Sequence, residues 1–563
     1  MSWKGIAKAA QAEVLGSIPA PWRLDLDKYR SLKDVTSVPR TCGILTDAQL
    51  KITDLTTVEI VRSIESRDLT AVQVLDAFAA RTAIAHQLVN CLMDWFYEDG
   101  LRRAKELDET FKRDGKLSGP LHGVPIALKD FHYVKGRPTT TGYVSRRDFR
   151  PEHDSALVKT LRDAGAVFYC KTTMPQSGMA IETVSNLWGR TLNPYNRDLA
   201  AGGSSGGDAV LVALKGTPIT PSTDLGGSIR VPAAFNGLYA IRPTSDRIPK
   251  GGMENINNGQ LSIKLSCGPI CHSMEDLELF TKLINAHPSN KHDVTSVPVP
   301  WRSLEPLSGK LTIGLLKWDG VVMPHPPVLR ALEHTKQTLE KAGHNGKSQC
   351  PTIKSNNVNT ITVIEFEVPF DCWDAIQTTF DTYYQSGHSG TLSTLESTGE
   401  PLIPAFKDLL KVFGSRELTA AQALQLNVKT RAFKEKFSNA WSDTVRRTNA
   451  DRPIDALICP SAPGVGYPHD FNIYWGYTSL FNLLDYPSVI LPVPNFKVNP
   501  QQDPVASDYK ALETNPYDKP NHELYNPDLF STQPSTIQIV GRPFEDEELI
   551  RTASVIDKLF RGL

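Results

Sequence analysis

The sequence lacks any uninterrupted apolar stretch near the roughly 18 residues that a membrane-spanning helix requires, so no transmembrane span is expected. It opens Met1-Ser-Trp-Lys-Gly-Ile without an apolar run of signal-peptide length, and it closes Phe560-Arg-Gly-Leu563 without a lipidation signal. Charge of one sign is not in excess either. The 61 basic and 62 acidic side chains leave a net charge of −1, which offers no footprint for nucleic acid and no acidic solvating tail. Cysteine is sparse, 8 in 563 residues, and scattered from Cys42 to Cys459, which excludes a disulfide framework. The closest pair, Cys267-Gly-Pro-Ile-Cys271, has the wrong spacing for a redox CxxC motif, and no second Cys/His pair follows at zinc-finger distance. These absences predict a cytoplasmic protein with reduced thiols, no metal, no membrane anchor and no nucleic-acid partner.

What remains is an ordinary globular balance, 40% hydrophobic and 22% charged, enough for a large core. No internal repeat occurs at solenoid or propeller periods. The first hundred residues read as helical. Apolar residues recur at helical spacing over 47–67 and over 70–85, with Thr70 as an N-cap, and 95–113 alternates acids and bases like a solvated helix face. From Gly119 the texture changes. Short β-rich runs at 124–128, 166–170, 238–242, 311–316, 361–368, 456–459, 489–493 and 536–540 are separated by helical patterns at 155–164, 208–215, 273–284, 327–342, 420–439 and 546–560. Several of the runs are continuously apolar, as expected of strands buried on both faces. The alternation predicts one layered α/β domain over 1–563, with a mostly helical region at 1–118, a motif-bearing core at 119–250, and the rest of the sheet and a substrate pocket at 251–563. Residues 285–307, 345–359 and 499–535 read as surface excursions, the last an ordered loop or flap that shapes the pocket.

Three segments carry candidate chemistry. His122-Gly-Val-Pro-Ile-Ala-Leu-Lys129-Asp130 is a strand ending in a lysine. Ala201-Gly-Gly-Ser204-Ser205-Gly-Gly-Asp208 is a glycine–serine loop that opens a helix, and Ser222-Thr-Asp224-Leu-Gly-Gly-Ser228-Ile-Arg230 is a second glycine-rich loop with a serine. A loop of this kind before a helix can be purely structural, or can cradle an anion. GxxxxGK[ST] is absent, however, and no GxGxxG follows a clear strand, so a nucleotide site is not indicated. GxSxG fits at Ser204 and at Ser205. The nucleophile elbow, though, needs a strand running into the serine, and Leu192-Asn-Pro-Tyr-Asn-Arg-Asp198 is turn chemistry. Ser507-Asp-Tyr-Lys510 matches SxxK only inside a polar Pro/Asn-rich stretch.

Taken together, HGVPIALKD, GGSSGG and STDLGGSIRVPAAFNGL resemble the amidase signature family, within it most closely the fungal acetamidase-like branch. The resemblance extends to Met174-Pro-Gln176, Trp188-Gly-Arg-Thr-Leu-Asn-Pro194, Gly268-Pro-Ile, Asn482-Leu-Leu-Asp-Tyr-Pro487 and Ile539-Val-Gly-Arg542, covering most of the chain from Asp47 onward. It implies a mixed, twisted central sheet flanked by helices, and an amide hydrolase that uses no metal and no cofactor on a small-molecule amide.

Carried onto this sequence, the resemblance makes Ser228 the nucleophile, Ser204 the bridging serine on a cis peptide bond, and Lys129 the base. A serine hydroxyl needs a neighbour to take its proton, and Ser204 can pass it from Ser228 to a neutral lysine. Moving a lysine pKa from ~10.4 to ~8 costs about 3 kcal/mol, which burial supplies. Asp130 would oppose that shift, but alternation along the strand points it to the other face. The N–H groups of Leu225, Gly226, Gly227 and Ser228 are expected to form the oxyanion hole. Asp224 and Arg230 are expected to pair and buckle the loop, and Ser205 to support Ser204. Lys171 reads as structural, His122 as a turn residue, and Asp208 as an acid in a helix's first turn without chemical consequence. Alignment to the family puts Gly178, Met179 and Thr183 near the acyl pocket, with a second wall from residues 371–390 carrying Trp373, Phe380, Tyr383 and Tyr384.

The leading expectation is amide hydrolysis through an acyl-enzyme on Ser228. Acyl transfer or ring closure in secondary metabolism would use the same intermediate with another nucleophile. A non-catalytic binding relative need not keep all three reactive groups, and this chain keeps them. The acyl group and the oligomeric state, a homodimer included, are not fixed by the sequence.

Overall fold

The computed structural model describes residues 2–253, 259–287, 291, 293–305, 307, 311–344, 361–448 and 451–563. The stretch 345–359 therefore lies outside the described residues. Thirteen strands occur among those described: β1 (Leu92–Trp95), β2 (Pro125–Lys129), β3 (Val167–Thr172), β4 (Val184–Ser185), β5 (Gly189–Arg190), β6 (Ile219–Asp224), β7 (Tyr239–Arg242), β8 (Ser266–Cys271), β9 (Leu311–Leu315), β10 (Ile361–Glu365), β11 (Ala456–Cys459), β12 (Ser488–Lys497) and β13 (Pro534–Val540). Eleven form one mixed sheet in the order β1-β3-β2-β6-β8-β7-β12-β13-β11-β9-β10, and β4 pairs with β5 alone. Parallel pairing joins β3, β2 and β6 on one side and β11, β9 and β10 on the other. Between them every pair is antiparallel.

The alternation of side chains along a strand sorts the core into two layers. Ile241, Val489, Leu491, Ile537, Ile539 and Ile458 point to one face and meet helices Met274–Ala286, Pro326–His344 and Asp546–Arg561. Ala240, Ile490, Val540, Leu457 and Cys459 point to the other, where helices Arg230–Phe235, Cys372–Tyr383, Ala420–Asp443 and Gly476–Leu484 pack. Burial on both faces explains why these strands read as continuous apolar runs.

The eight expected strands are all present, with ends shifted by a few residues. The reading missed β1, β6 and β8 of the main sheet and the separate pair β4 and β5. Pro221 interrupts β6, and Gly268 and Pro269 interrupt β8, and proline argues against an interior strand. In the sheet Pro221 lies opposite Pro269. Two facing prolines suit a non-hydrogen-bonded pair, where the β6–β8 ladder itself asks neither for an N–H. At the N-terminus, the single pattern over 47–67 is two helices, Asp47–Thr53 and Thr57–Glu65, because Thr56 and Glu59 form a second capping box. Thr70 caps Ala71–Val89 as expected. Trp95 ends β1, and the charged helix begins at Tyr97. Residues 499–535 include the short helix Asp518–Leu524 and bury Tyr517, Tyr525 and Phe530. No helix among the described residues is long and apolar enough to cross a membrane.

Candidate functional site

Lys129 is the last residue of β2, a strand buried along its whole length, and its register sets it beside Thr172 of β3. Its Nζ lies 2.8 Å from Ser204 Oγ, 2.7 Å from Ser205 Oγ and 2.8 Å from Thr223 Oγ1. Burial pushes its pKa down to about 8, against the pull of the Asp208 and Asp224 carboxylates. Asp130 turns away, as alternation requires. It accepts hydrogen bonds from the Thr140 N–H and hydroxyl at 2.8 and 2.5 Å, and its carboxylate is 3.7 Å from Lys171 Nζ. Lys171 is equally buried and is held by Pro138 O and Thr139 Oγ1 at 2.7 and 2.8 Å, a cluster of its own. His122 is a buried turn residue whose Nδ1 accepts from the Ser118 N–H at 2.9 Å.

Ser204 and Ser205 sit where the chain enters helix Gly206–Ala213, and the Gly203–Ser204 peptide bond is cis. Thr183 brackets this turn: its hydroxyl donates to Gly202 O at 2.9 Å and accepts from Gly206 N at 3.0 Å. The Ser205 N–H donates to Ser228 O at 3.1 Å and ties the two serine loops together. Ser204 and Ser228 open onto the same cavity. Among the described residues their two hydroxyls share no hydrogen bond, so Ser204 is tied to Lys129 but not to Ser228.

β6 delivers the second loop. Asp224 and Arg230 are both fully buried and pair at 3.0 Å, as expected. Asp224 also receives the N–H groups of Gly227 and Ile229, at 2.9 and 3.1 Å, and the Asn482 amide at 2.9 Å. Arg230 reaches Gln538 Oε1 at 3.0 Å and Asn482 Oδ1 at 2.5 Å. Burial alone would raise the Asp224 pKa, but the adjoining guanidinium overrides it and holds the carboxyl well below the usual range. The loop thus folds around one carboxylate. The Gly227 N–H is consumed in that fold, which corrects its assignment as an oxyanion donor. The N–H groups of Leu225, Gly226 and Ser228 have no intramolecular partner among the described residues. Glycine is needed at two positions here. Gly227 has φ +132° and a Cβ would fall 2.2 Å from Thr478 Oγ1, while at Gly226 it would fall 2.9 Å from the Trp475 ring.

The cavity over the serines measures about 480 Å³. Gly178, Met179, Phe131 and Leu225 line its inner part, so two of the three expected pocket residues face it. Thr183 does not line it, because its hydroxyl is spent on the serine turn. The wall expected from 371–390 lies behind the loop instead: the Tyr383 hydroxyl donates to Leu225 O at 2.5 Å, and Phe380 packs edge-on against Trp475. Residues 499–535 contribute nothing to the cavity lining. Among the described residues, the rest of the wall comes from Asp246, Lys250, Gly251, Met253, Gln260, Leu261, Ile263, Lys264, Leu265, Asp293 and Thr295, none of which the sequence singled out. Thr223 and Asp208 were also missed as neighbours of the lysine. Asp208 is fully buried and accepts from Thr172 Oγ1 and Ser222 Oγ, the latter at 2.6 Å; burial raises its pKa to about 6, against the pull of Lys129. The signal that could have found them was the strand period through 219–224. No group of three or more His, Cys, Asp or Glu side chains among the described residues could hold a metal ion.

The molecule is a large mixed sheet with helices on both faces, and Lys129 and the two serine loops lie at its strand ends. A solved structure of fatty acid amide hydrolase superposes over 99% of this chain and 95% of its own, with a TM-score of 0.90 and 30% identity. The chain belongs to the amidase family, whose pattern it matches over residues 73–550, and it is an enzyme that hydrolyses amides. It is 79% identical to Amidase FG08078 of Gibberella zeae over the full length of both chains. It is 37% identical to an acetamidase of Emericella nidulans, covering 99% of this chain and 98% of the other.

Proposed function

We propose that the protein cleaves small-molecule carboxylic amides through an acyl-enzyme on Ser228. The observation that carries this reading is Lys129, sealed from solvent and within 2.8 Å of Ser204 Oγ, with its pKa drawn down to about 8. A neutral amine has a lone pair to accept the Ser204 proton, and Ser204 in turn takes the proton of Ser228 as that oxygen attacks the amide carbon. The tetrahedral oxyanion faces the unspent N–H groups of Leu225, Gly226 and Ser228. The ammonium of Lys129 then returns its proton through Ser204 to the leaving nitrogen, and the C–N bond breaks. Water repeats the sequence on the ester and releases the acid. Ser205 and Thr223 hold Lys129 in place, and the Asp224–Arg230 pair fixes the loop.

A fluorophosphonate tests the assignment. It should phosphonylate Ser228 with loss of fluoride, and Ser228→Ala should abolish both labelling and turnover across a panel of primary amides from acetamide to aryl and long-chain members. Equal turnover by wild type and Ser228→Ala would remove the mechanism.

A further inference from the structure

The volume of the cavity and the polar capacity left in its wall indicate which amides it takes. At about 480 Å³ it lies in the range of clefts that bury drug-sized ligands, roughly 300–1,000 Å³. Phe131, Met179, Leu225, Met253 and Ile263 give it an apolar lining. Farther along the same wall stand four charged side chains: Asp246, Lys250, Lys264 and Asp293.

Their hydrogen bonds are spent unevenly. Asp293 accepts from Lys250 N at 2.6 Å, Gly251 N at 2.8 Å, Thr295 N at 2.9 Å and Thr295 Oγ1 at 2.8 Å. Asp246 takes the Lys250 ammonium on one carboxylate oxygen and the Lys264 ammonium on the other. Gln260 Oε1 accepts from Ser262 N and Ile263 N, and its amide donates to Ile263 O. The acceptors of these three side chains are therefore engaged. Each ammonium, however, has three N–H donors. Lys264 gives one to Asp246, and Lys250 gives one to Asp246 and one, at a long 3.5 Å, to Leu265 O. Among the described residues, the capacity that remains on this wall is donor capacity, one N–H of the Gln260 amide and the ammonium N–H groups of Lys250 and Lys264, side chains 19% and 44% exposed.

We infer that the preferred substrate is an amide whose apolar body ends in a carboxylate, seated on the Lys250 and Lys264 ammonium groups while the amide lies at Ser228. A carboxylate completes an alternating row of charges with Asp246 and forms charge-assisted hydrogen bonds that a methyl terminus cannot. The inference rests on the reading of Ser228 as the acylated residue and adds the substrate class to it.

The experiment measures how well matched ligands protect Ser228 from a small fluorophosphonate. Two pairs are compared, a carboxylate end against a methyl end, with the terminus on the acyl side of the amide in one pair and on the amine side in the other. In the wild type a carboxylate-ended ligand should protect at about a tenfold lower concentration than its methyl isostere. Lys264→Met should collapse that ratio and Lys264→Arg should retain it, and because the ratio is read within each variant a change in overall reactivity cancels. Equal protection by both ends, better protection by the methyl end, protection by neither, or a ratio unchanged in Lys264→Met would overturn the inference while leaving Ser228 as the nucleophile. Failure of the probe to label Ser228 at all would overturn the proposed function and this inference with it.

Discussion

Lys129 and Lys171 are both fully buried, on adjacent strands, and burial draws each pKa down to about 8. Their neighbours separate them. Lys171 faces the Asp130 carboxylate, which favours its charged form, whereas Lys129 faces three hydroxyls that can exchange a proton with it. In the proposed mechanism only the neutral form of Lys129 acts as base, so kcat/KM should rise with pH through about 8 and level above it. Lys129→Ala should remove that limb and lower the rate by about 10²–10⁴. Lys171→Met should leave the limb where it is. The Asp208 carboxylate favours the Lys129 ammonium, so Asp208→Asn should move the limb to lower pH, by on the order of one unit, with Asp208→Glu restoring part of it. A pH–rate profile of each variant distinguishes these outcomes. The motifs set Lys129, Ser204 and Ser228 apart in the sequence, and the structure brings Lys129 Nζ to 2.8 Å from Ser204 Oγ. Asp208 was read only as an acid at a helix start, because its partner Ser222 lies on a strand that was not recognised.

At the scale of elements, the second serine loop shows how one carboxylate can substitute for regular structure. Asp224 collects three backbone N–H groups, a guanidinium and an amide, and that set bends β6 into helix Arg230–Phe235. Arg230→Met would strand Asp224 as an unpaired buried charge, so a loss of about 3–5 kcal/mol in stability is expected from urea unfolding, along with loss of fluorophosphonate labelling. Thr70→Ala, which removes only a helix cap, should cost about 1 kcal/mol and leave labelling intact. Elements that announce themselves by period or capping were readable, Ala71–Val89 among them. β6 and β8 were not, because their burial rests on satisfied hydroxyls and facing prolines rather than on apolar alternation.

Over the whole molecule, the general architecture was legible and the far wall of the cavity was not. The wall residues from 246–265 and 293–295 converge only through tertiary packing, as when Asp293 binds the backbone of Lys250 and Gly251. Distant segments are also tied by charge. Burial pushes the Glu547 carboxyl up, but Arg247, and the Arg302 N–H, hold it down to about 2. A carboxyl lowered in the folded state adds stability above its ordinary value near 4.5 and loses it as pH falls toward 2. The urea midpoint should therefore fall across that window, and less steeply in Glu547→Gln.

The order of the central strands has a bearing on synthesis. β7 pairs with β12, which pairs with β13, and Arg230 meets Asn482 and Gln538. A ribosome that has already extruded both serine segments thus carries a half-built sheet with an open edge. The loop around Ser228 therefore gains its last contacts only once residues 482–538 are made, and a chain stopped before them should fail to react with a fluorophosphonate.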